Sequence, residues 1–320
     1  MAQSTVHPAE LPVPRPWYRR RLWLWPLVAI GLLALYYALG MLWLHGIDDD
    51  PDFALKTSAP EGGSQAVAVA ADLIDREINT HRWVANDPFF MPGSLLDNMP
   101  EYQQGIVAAL SRFSLELTDQ IARTRGSSQA DPDLDRAAGL LRYPGTIWIW
   151  DLQTSWAPTA TSEQQYRQAL AALRNYNERL GQGQAVFDAR ADNLLGTLDR
   201  ITADLGSSSA AIDQKLQAAT FWPDFTADNL FYANKGRLYA YYLLLRALQV
   251  DFANVIRERQ LDGAWTQTLE SFRAAAALQP WVVMNGAPDG QLVPNHLTAQ
   301  GFFLLRARTQ LREIANILLK

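Results

Sequence analysis

The sequence contains no cysteine and only four histidines among its 320 residues. Without cysteine there can be no disulfide bonds and no thiolate metal ligands. Paired histidine motifs of metalloproteases, phosphate-binding glycine loops and the serine elbow of α/β-hydrolases are missing as well. We therefore predict that the protein is not an enzyme and needs no cofactor, and we predict no catalytic, cofactor-binding or metal-binding residue. His81 and His296, the two histidines after the apolar run described next, are expected to have structural roles.

Charge is absent from one long stretch, because residues 22–47 include no Asp, Glu, Lys or Arg. A helix from Leu22 to Ile47 is about 39 Å long and can cross a hydrocarbon layer of about 30 Å. The run is longer than the apolar core of a cleaved signal peptide, and no A-x-A-like cleavage site follows it. We predict a transmembrane signal anchor over residues 22–47 that contacts the lipid bilayer.

The charges on either side of this run predict its orientation. Arg15 and Arg19–Arg21 precede it, whereas Asp48–Asp50 follow it. Basic residues favour the cytoplasmic side of a first span, so the N-terminus is expected inside and the C-terminal domain outside. Residues 1–21, rich in proline, form a predicted disordered cytoplasmic leader, and residues 48–64 a linker marked by proline and glycine.

The acidic balance excludes one class of partner. The chain has 28 basic and 33 acidic residues, and residues 1–47 contain four arginines but a single glutamate. The domain after the anchor is therefore clearly acidic. Nucleic acids attract clustered Lys and Arg, so nucleic acid is not an expected partner.

Helical periodicity dominates residues 65–320 and predicts an all-α domain. We expect an extended multi-helix bundle with long, coiled-coil-like helices. Thr226 is a good N-cap, and Ser162 with Gln165 predicts a capping box. The expected helices cover residues 64–83, 100–125, 134–141, 162–216, 226–261, 264–278 and 296–319.

Residues 162–216 keep one heptad register throughout, from Tyr166 to Leu216. Two glycine-containing segments interrupt it, at residues 181–183 and 206–209, and each could hold a turn. Because the heptad phase continues across both, we favour long helical rods with soft joints. The alternative is a set of antiparallel helices folded back at the glycines.

Two apolar segments outside the predicted helices form a candidate interaction surface. Residues 86–100 form a loop between turn signals, which we expect to plug one end of the bundle rather than to bind a partner. Residues 146–150 alternate like a strand, either as a connector whose tryptophans pack inward or as an edge offered to a partner. The candidate surface residues are Trp148, Trp150, Trp156, Phe89 and Phe90.

Carboxylates are the remaining groups that could perform acid–base chemistry. Asp87, Asp97 and Glu101 surround one loop, and Asp188 and Asp192 lie one helical turn apart. The latter pair lacks the Glu-x-x-His partners of a di-metal bundle site, and we expect a solvated helix face. The aspartates of residues 48–52 lack the glycine and terminal glutamate of a calcium loop and are interpreted as a topology signal.

Several segments resemble a known family. They are Trp83 with residues 86–92 (NDPFFMP), residues 96–100 (LDNMP), residues 190–194 (RADNL) and residues 294–297 (PNHL). They resemble a proteobacterial family of single-pass inner-membrane proteins defined only as a domain of unknown function. The resemblance extends from the anchor to the last helix and implies an inner-membrane protein facing the periplasm. It implies no activity, cofactor or site.

We therefore predict a membrane-tethered, non-enzymatic scaffold or adaptor that binds an envelope protein. One alternative is a ligand-binding or sensory domain with a pocket lined by Trp148, Trp150, Trp156 and Trp222. A second alternative is a hydrolase that uses Asp87, Asp97 and Glu101. The small residues Ala34 and Ala38 of the anchor could also support a homo-oligomer.

Overall fold

A computed structural model of the protein describes residues 24–56, 58–124, 130–150, 156–220, 224–288 and 290–320. The predicted leader 1–21 and Trp222 lie outside these residues. Within the described ranges the chain forms ten α-helices and no β-strand, which confirms the all-α prediction. The helices are α1 (Leu24–Leu44), α2 (Gln65–Asp75), α3 (Asn98–Thr124), α4 (Pro132–Leu141), α5 (Ser162–Gly181), α6 (Ala191–Leu216), α7 (Phe225–Asp251), α8 (Ala253–Glu258), α9 (Asp262–Ala276) and α10 (His296–Leu318). A π-helical turn (Arg76–Thr80) extends α2, and a 3₁₀ turn (Pro92–Leu95) precedes α3.

The helix α1 stands apart from the others in composition and exposure. It is the one helix in the described part of the chain that is long and apolar enough to cross a membrane, judged by length and composition. Most of its side chains are exposed, including Trp25 and Trp43. A stripe formed by Tyr37, Gly40 and Leu44 is partly or fully covered by the rest of the protein.

The centre of the bundle is the pair α3 and α7, each of 27 residues. The two helices cross where Gly105 faces the backbone of Ala233 and Gly236 faces the backbone of Tyr102. A side chain larger than hydrogen at either glycine would overlap a main-chain carbonyl of the other helix. The absence of Cβ atoms therefore permits this close approach.

The remaining helices form two groups around this pair. On one side α2 packs against α7 and α5, and α4 packs against α3 and α5. On the other side α6, α9 and α10 pack together, with α6 against α3 and α9 against α7. Buried apolar side chains of both groups and the central pair form one continuous core.

The helix starts differ slightly from the predictions. The capping box belongs to Thr161 and Gln164 rather than to Ser162 and Gln165. The side chain of Asp224, and not that of Thr226, accepts hydrogen bonds from the first backbone N–H groups of α7. In each case another polar residue one or two positions earlier was an equally suitable cap.

The rod and hairpin interpretations of residues 162–216 are each wrong in part. The helix ends at Gly181, where Gly183 takes a positive φ of 69°, and a new helix begins at Ala191. The second glycine segment, 206–209, lies inside the continuous helix α6. The helices α5 and α6 then pack against different neighbours instead of forming a hairpin with each other.

Two further predictions need correction. The helix expected over residues 226–261 is interrupted at Phe252, whose ring is buried 5.7 Å from that of Phe187. Residues 146–150 form no strand: the carbonyl of Ile147 accepts from the N–H of Ser162, the first residue of α5, and that of Ile149 accepts from the N–H of Thr159, without a regular ladder. Trp150 is half exposed, so the connector does not pack its tryptophans inward together.

Candidate functional site around the exit segment

The exit segment, residues 48–53 directly after α1, is held by the interior of the bundle. Lys235 on α7 is almost completely buried, and its Nζ lies 2.6 Å from Asp49 Oδ2. The same ammonium group donates to the backbone carbonyls of Ala276 and Leu278 at the end of α9. Burial lowers the pKa of Lys235, although Asp49 opposes this shift. One buried cation thus connects three separate parts of the chain.

A second buried cation, Arg76, pairs with Asp48, the residue before Asp49. Arg76, in the π-helical turn, has its Nη1 3.4 Å from Asp48 Oδ2 and its Nη2 2.8 Å from Glu77 Oε1. Glu77 is fully buried; burial disfavours its charge, but nearby His81 and Arg76 outweigh this and lower its pKa. Tyr102 donates from its hydroxyl to the carbonyl of Asp48 at 2.7 Å.

The backbone carbonyls of the exit segment also accept hydrogen bonds from side chains of α7. Tyr239 donates to the carbonyl of Asp50 at 2.8 Å, and Arg246 donates to the carbonyls of Pro51 and Phe53. The linker predicted over residues 48–64 is thus irregular in structure but packed along α7 in its first part. Its aspartates, which we interpreted only as a topology signal, also neutralise buried cations.

A loop formed by residues 86–97 lies against the covered stripe of α1. Tyr37 donates its hydroxyl to the carbonyl of Phe89, and Tyr36 donates to the carbonyl of Phe90 at 3.4 Å. Gly40 packs so closely against the Pro92 ring that a Cβ atom at this position would overlap it. The loop therefore contacts the side of α1 well before the end of that helix.

The structure brings together part of the predicted interaction surface. The rings of Phe90 and Trp148 meet edge to face at 5.6 Å, and Asn86 donates to the carbonyl of Ile147. Phe89 is 83% exposed and Trp156 is 85% exposed. Phe89 therefore does not plug an end of the bundle, contrary to our expectation for the loop of residues 86–100, because most of its surface has no protein neighbour.

The predicted carboxylates do not form one group. Asp87 pairs with Arg82 at 2.8 Å; burial raises the pKa of Asp87, and Arg82 opposes the rise. Asp97 is instead close to Glu101 and to Asp228, in the first turn of α7. Burial and the charge of Asp97 raise the pKa of Glu101.

Asp228 is the most perturbed member of this group. Burial, together with the charge of Asp97, raises the pKa of Asp228 to about 6. The side-chain nitrogen of Asn98, oriented toward the acids, lies 2.6 Å from Asp228 and 3.2 Å from Asp97. Among the described residues no three His, Cys, Asp or Glu side chains form a group that could hold a metal ion.

The other candidate residues have partners that account for their positions. His296 accepts a hydrogen bond at Nδ1 from the N–H of Met284, and burial lowers its pKa. Arg190 binds Asp192 at 2.6 Å on the surface. Asp188 precedes the first residue of α6, so the two acids do not share a helix face as we expected. The cavity between α3, α4 and α5 is lined by residues such as Gln104, Arg112 and Tyr166, and no tryptophan contributes to its wall.

Sequence reasoning missed the two buried cations, although a signal for Lys235 was present. Lys235 falls four positions after Phe231 and three before Leu238, on the predicted apolar face of α7. A lysine at such a position needs a buried partner. Its partner, Asp49, belonged to a segment that we interpreted as a linker and whose aspartates we took for a topology signal.

These features define a class: an all-α protein in which one apolar N-terminal helix is joined to a helical bundle through buried ion pairs. The chain matches a family described as uncharacterised proteins conserved in bacteria (DUF2333), over residues 32–224 and 208–320. It belongs to this family. No curated protein and no solved structure matches it.

Proposed function

We propose that the protein is a membrane-anchored, non-enzymatic scaffold or adaptor of the bacterial cell envelope. In this proposal α1 crosses the inner membrane, with the N-terminus in the cytoplasm and the bundle in the periplasm. The arginines before α1 and the aspartates after it support this orientation. The acidic bundle binds another envelope protein and not nucleic acid.

The attachment of the exit segment is the observation that carries this proposal. A domain that only needs to stay near a membrane can be tethered by a flexible linker. Here Asp49 and Asp48, after a gap of only three residues from the end of α1, instead pair with the buried cations Lys235 and Arg76. Such pairing fixes the orientation of the bundle relative to α1, and a fixed orientation is useful to a protein that positions others.

Single cysteines test the topology cleanly, because the chain has no native cysteine. Ser4→Cys places a thiol in the leader, and Val250→Cys places one at an exposed position near the end of α7. In intact spheroplasts, a membrane-impermeant maleimide should label only the second variant. Labelling of the first variant alone would contradict the proposed orientation.

Chemical crosslinking in cells, followed by purification of the full chain in detergent, tests the scaffold itself. The comparison variant carries ten Gly and Ser residues between Gly46 and Ile47, which loosens the connection while both anchor and bundle remain. We expect one defined partner or self-oligomer with the native chain and a reduced yield with the variant. If neither a partner nor a self-oligomer is recovered with the native chain, the proposal is contradicted. If the native chain and the variant give the same yield, a fixed orientation is not needed for assembly.

Self-association through α1 can be measured in the same experiment. Ala34 and Ala38 are exposed on α1, four positions apart, where small residues allow two helices to approach closely. Replacing both by leucine should abolish a homo-oligomer that forms through this face. An unchanged oligomer would assign the contact to another surface.

Ligand binding is a second candidate function, and the cavity between α3, α4 and α5 favours it. The cavity has a volume of about 360 Å³, within the range of small-molecule sites. Arg112 and Gln104 on its wall would suit a small anionic or polar ligand. A screen of envelope metabolites by thermal shift would show stabilisation of the native chain but not of Arg112→Leu. No shift with any compound contradicts this function.

A further inference from the structure

The contact between α1 and the 86–97 loop lies deep along the apolar helix. Tyr36 and Tyr37 bond the loop eight and seven residues before Leu44, the last residue of α1. At 1.5 Å per residue these positions are about 10–12 Å from the end of the helix. If α1 spans a bilayer, a segment packed against it at this depth is also inside the hydrocarbon layer.

The loop has the composition that such a position requires. Residues 88–96 (PFFMPGSLL) contain no charged side chain. Phe89 is 83% exposed, Leu95 is 62% exposed and Phe90 is 46% exposed. In water this surface would be costly, because exposed apolar area is hydrated unfavourably. In a bilayer it is favourable.

The backbone of the loop is also suited to an environment without water. An irregular segment can enter a membrane only if its polar backbone groups are bonded internally. The carbonyls of Phe89 and Phe90 accept from the two tyrosines of α1, and that of Met91 accepts from Ser94. Further turn bonds join Met91 N–H to Pro88 and Leu96 N–H to Gly93.

A second segment continues this surface away from α1. Trp148 packs on Phe90, and the next residues, Ile149 and Trp150, are 39% and 50% exposed. Trp156, on the far side of this connector, is 85% exposed. Tryptophan is the residue most typical of the boundary between hydrocarbon and water, where one edge of the ring is wet.

We infer that the uncharged part of the 86–97 loop, residues 88–96, enters the membrane leaflet at the C-terminal end of α1, with Trp148, Trp150 and Trp156 at the lipid–water boundary and the charged ends of the loop outside the hydrocarbon. The occupant of this surface is lipid. A soluble protein partner could not reach Phe89 without entering the bilayer itself, because the loop is bonded to the side of the span. The inference rests on the proposed anchoring of α1, and the loop gives the bundle a second membrane contact that prevents rotation about the span.

Spin labels at single cysteines test the inference in the full chain reconstituted into phosphatidylcholine–phosphatidylglycerol vesicles. Phe89→Cys and Leu95→Cys report on the loop. Val250→Cys is the matched control, since Val250 is also apolar and 62% exposed but lies 15 residues beyond Lys235 on α7. Leu33→Cys, 56% exposed in the middle of α1, reports on the anchor. The measured quantity is the collision rate of each label with oxygen and with a water-soluble nickel chelate.

We expect the oxygen-to-nickel collision ratio to be several-fold higher at Phe89 and Leu95 than at Val250, and highest at Leu33. If Leu33 is accessible to nickel, the anchor itself is refuted. If Leu33 is in lipid but both loop labels collide with nickel as often as Val250 does, only the loop insertion is refuted. Loop labels shielded from both reagents would identify a protein contact and would also overturn the inference.

Discussion

Lys235 and Asp49 form an ion pair across 186 positions of the sequence, with 2.6 Å between Nζ and Oδ2. The ammonium group has three N–H donors, and the carbonyls of Ala276 and Leu278 accept the other two. A buried charge is tolerated only when it is paired and hydrogen-bonded in this way. Asp49 thus connects the segment after α1 to a cation in the bundle interior, and the pair makes a specific contribution to stability that can be measured.

Lys235→Met removes the cation, leaves the carbonyls of Ala276 and Leu278 without this donor, and leaves Asp49 with the amide of Gln279 as its side-chain donor but without a positive charge. We expect the free energy of unfolding to fall by about 3–5 kcal/mol, the usual cost of breaking a buried pair from one side. The measurement is urea unfolding of the detergent-solubilised full chain, followed by circular dichroism.

Lys56→Met is the matched control for that measurement. Lys56 also pairs with an aspartate, Asp75 at 3.1 Å, but half of its side chain is exposed. Its removal should cost no more than about 1 kcal/mol. Equal losses in the two variants would show that the exit segment is not held by Lys235.

Gly105→Ala tests the close approach of α3 and α7. The added methyl group would overlap the carbonyl of Ala233, so the two helices must separate. Overpacking of this kind costs about 1–3 kcal/mol. In α4, Gly139 has no atom near the position of a Cβ, and Gly139→Ala should stabilise the protein by up to about 1 kcal/mol through helix propensity. A stabilised Gly105→Ala variant would contradict the helix crossing described above.

The two glycines of this crossing show what the sequence could reveal and what it could not. Apolar periodicity located α3 and α7, and residues that carry this periodicity, such as Tyr102, Ile106 and Leu238, are buried. The pairing of Gly105 with Gly236 depends on which helices meet. Each glycine alone appears as a weak point in a helix, and no local pattern relates the two.

The same limit explains the errors over residues 162–216. The register correctly identified buried residues on both helices, such as Leu173 and Leu198. It did not reveal that the chain leaves the helix at Gly181, because packing partners and not local periodicity decide whether a glycine bends, ends or continues a helix. The candidate site was harder still, since Asp49, Arg76 and Lys235 are distant in sequence and meet only in the fold.

Asp228→Asn should make stability less dependent on pH. The pKa of Asp228 is raised from 3.8 to about 6, so its protonated form favours the folded state at acid pH, and this stabilisation is lost as the pH rises through 6. At pH 7.5 the variant should be more stable than the native chain by about 1 kcal/mol. This value is smaller than the pKa shift alone implies, because Asp228 is partly exposed and because a carboxylate is favourable near the start of a helix. At pH 4 it should equal the native chain.

Thermal unfolding at the two pH values measures this difference. Asp213→Asn, at an exposed position of α6, is the control and should have little effect at either pH. A loss of stability at pH 7.5 in Asp228→Asn would mean that the carboxylate is needed in its charged form, for example to bind the Asn98 amide.

Gly40→Leu tests the contact between α1 and the 86–97 loop. The new side chain would occupy the space of the Pro92 ring, whereas Gly31, on the same helix, has no atom within 4 Å of a Cβ position. We expect Gly40→Leu to displace the loop and lower the thermal midpoint of the reconstituted chain by several degrees, as for a loss of about 1–3 kcal/mol. Gly31→Leu should leave the midpoint unchanged, because no other part of the protein lies near its side chain. If both variants behave alike, the loop does not pack against α1, and the bundle is attached through the exit segment alone.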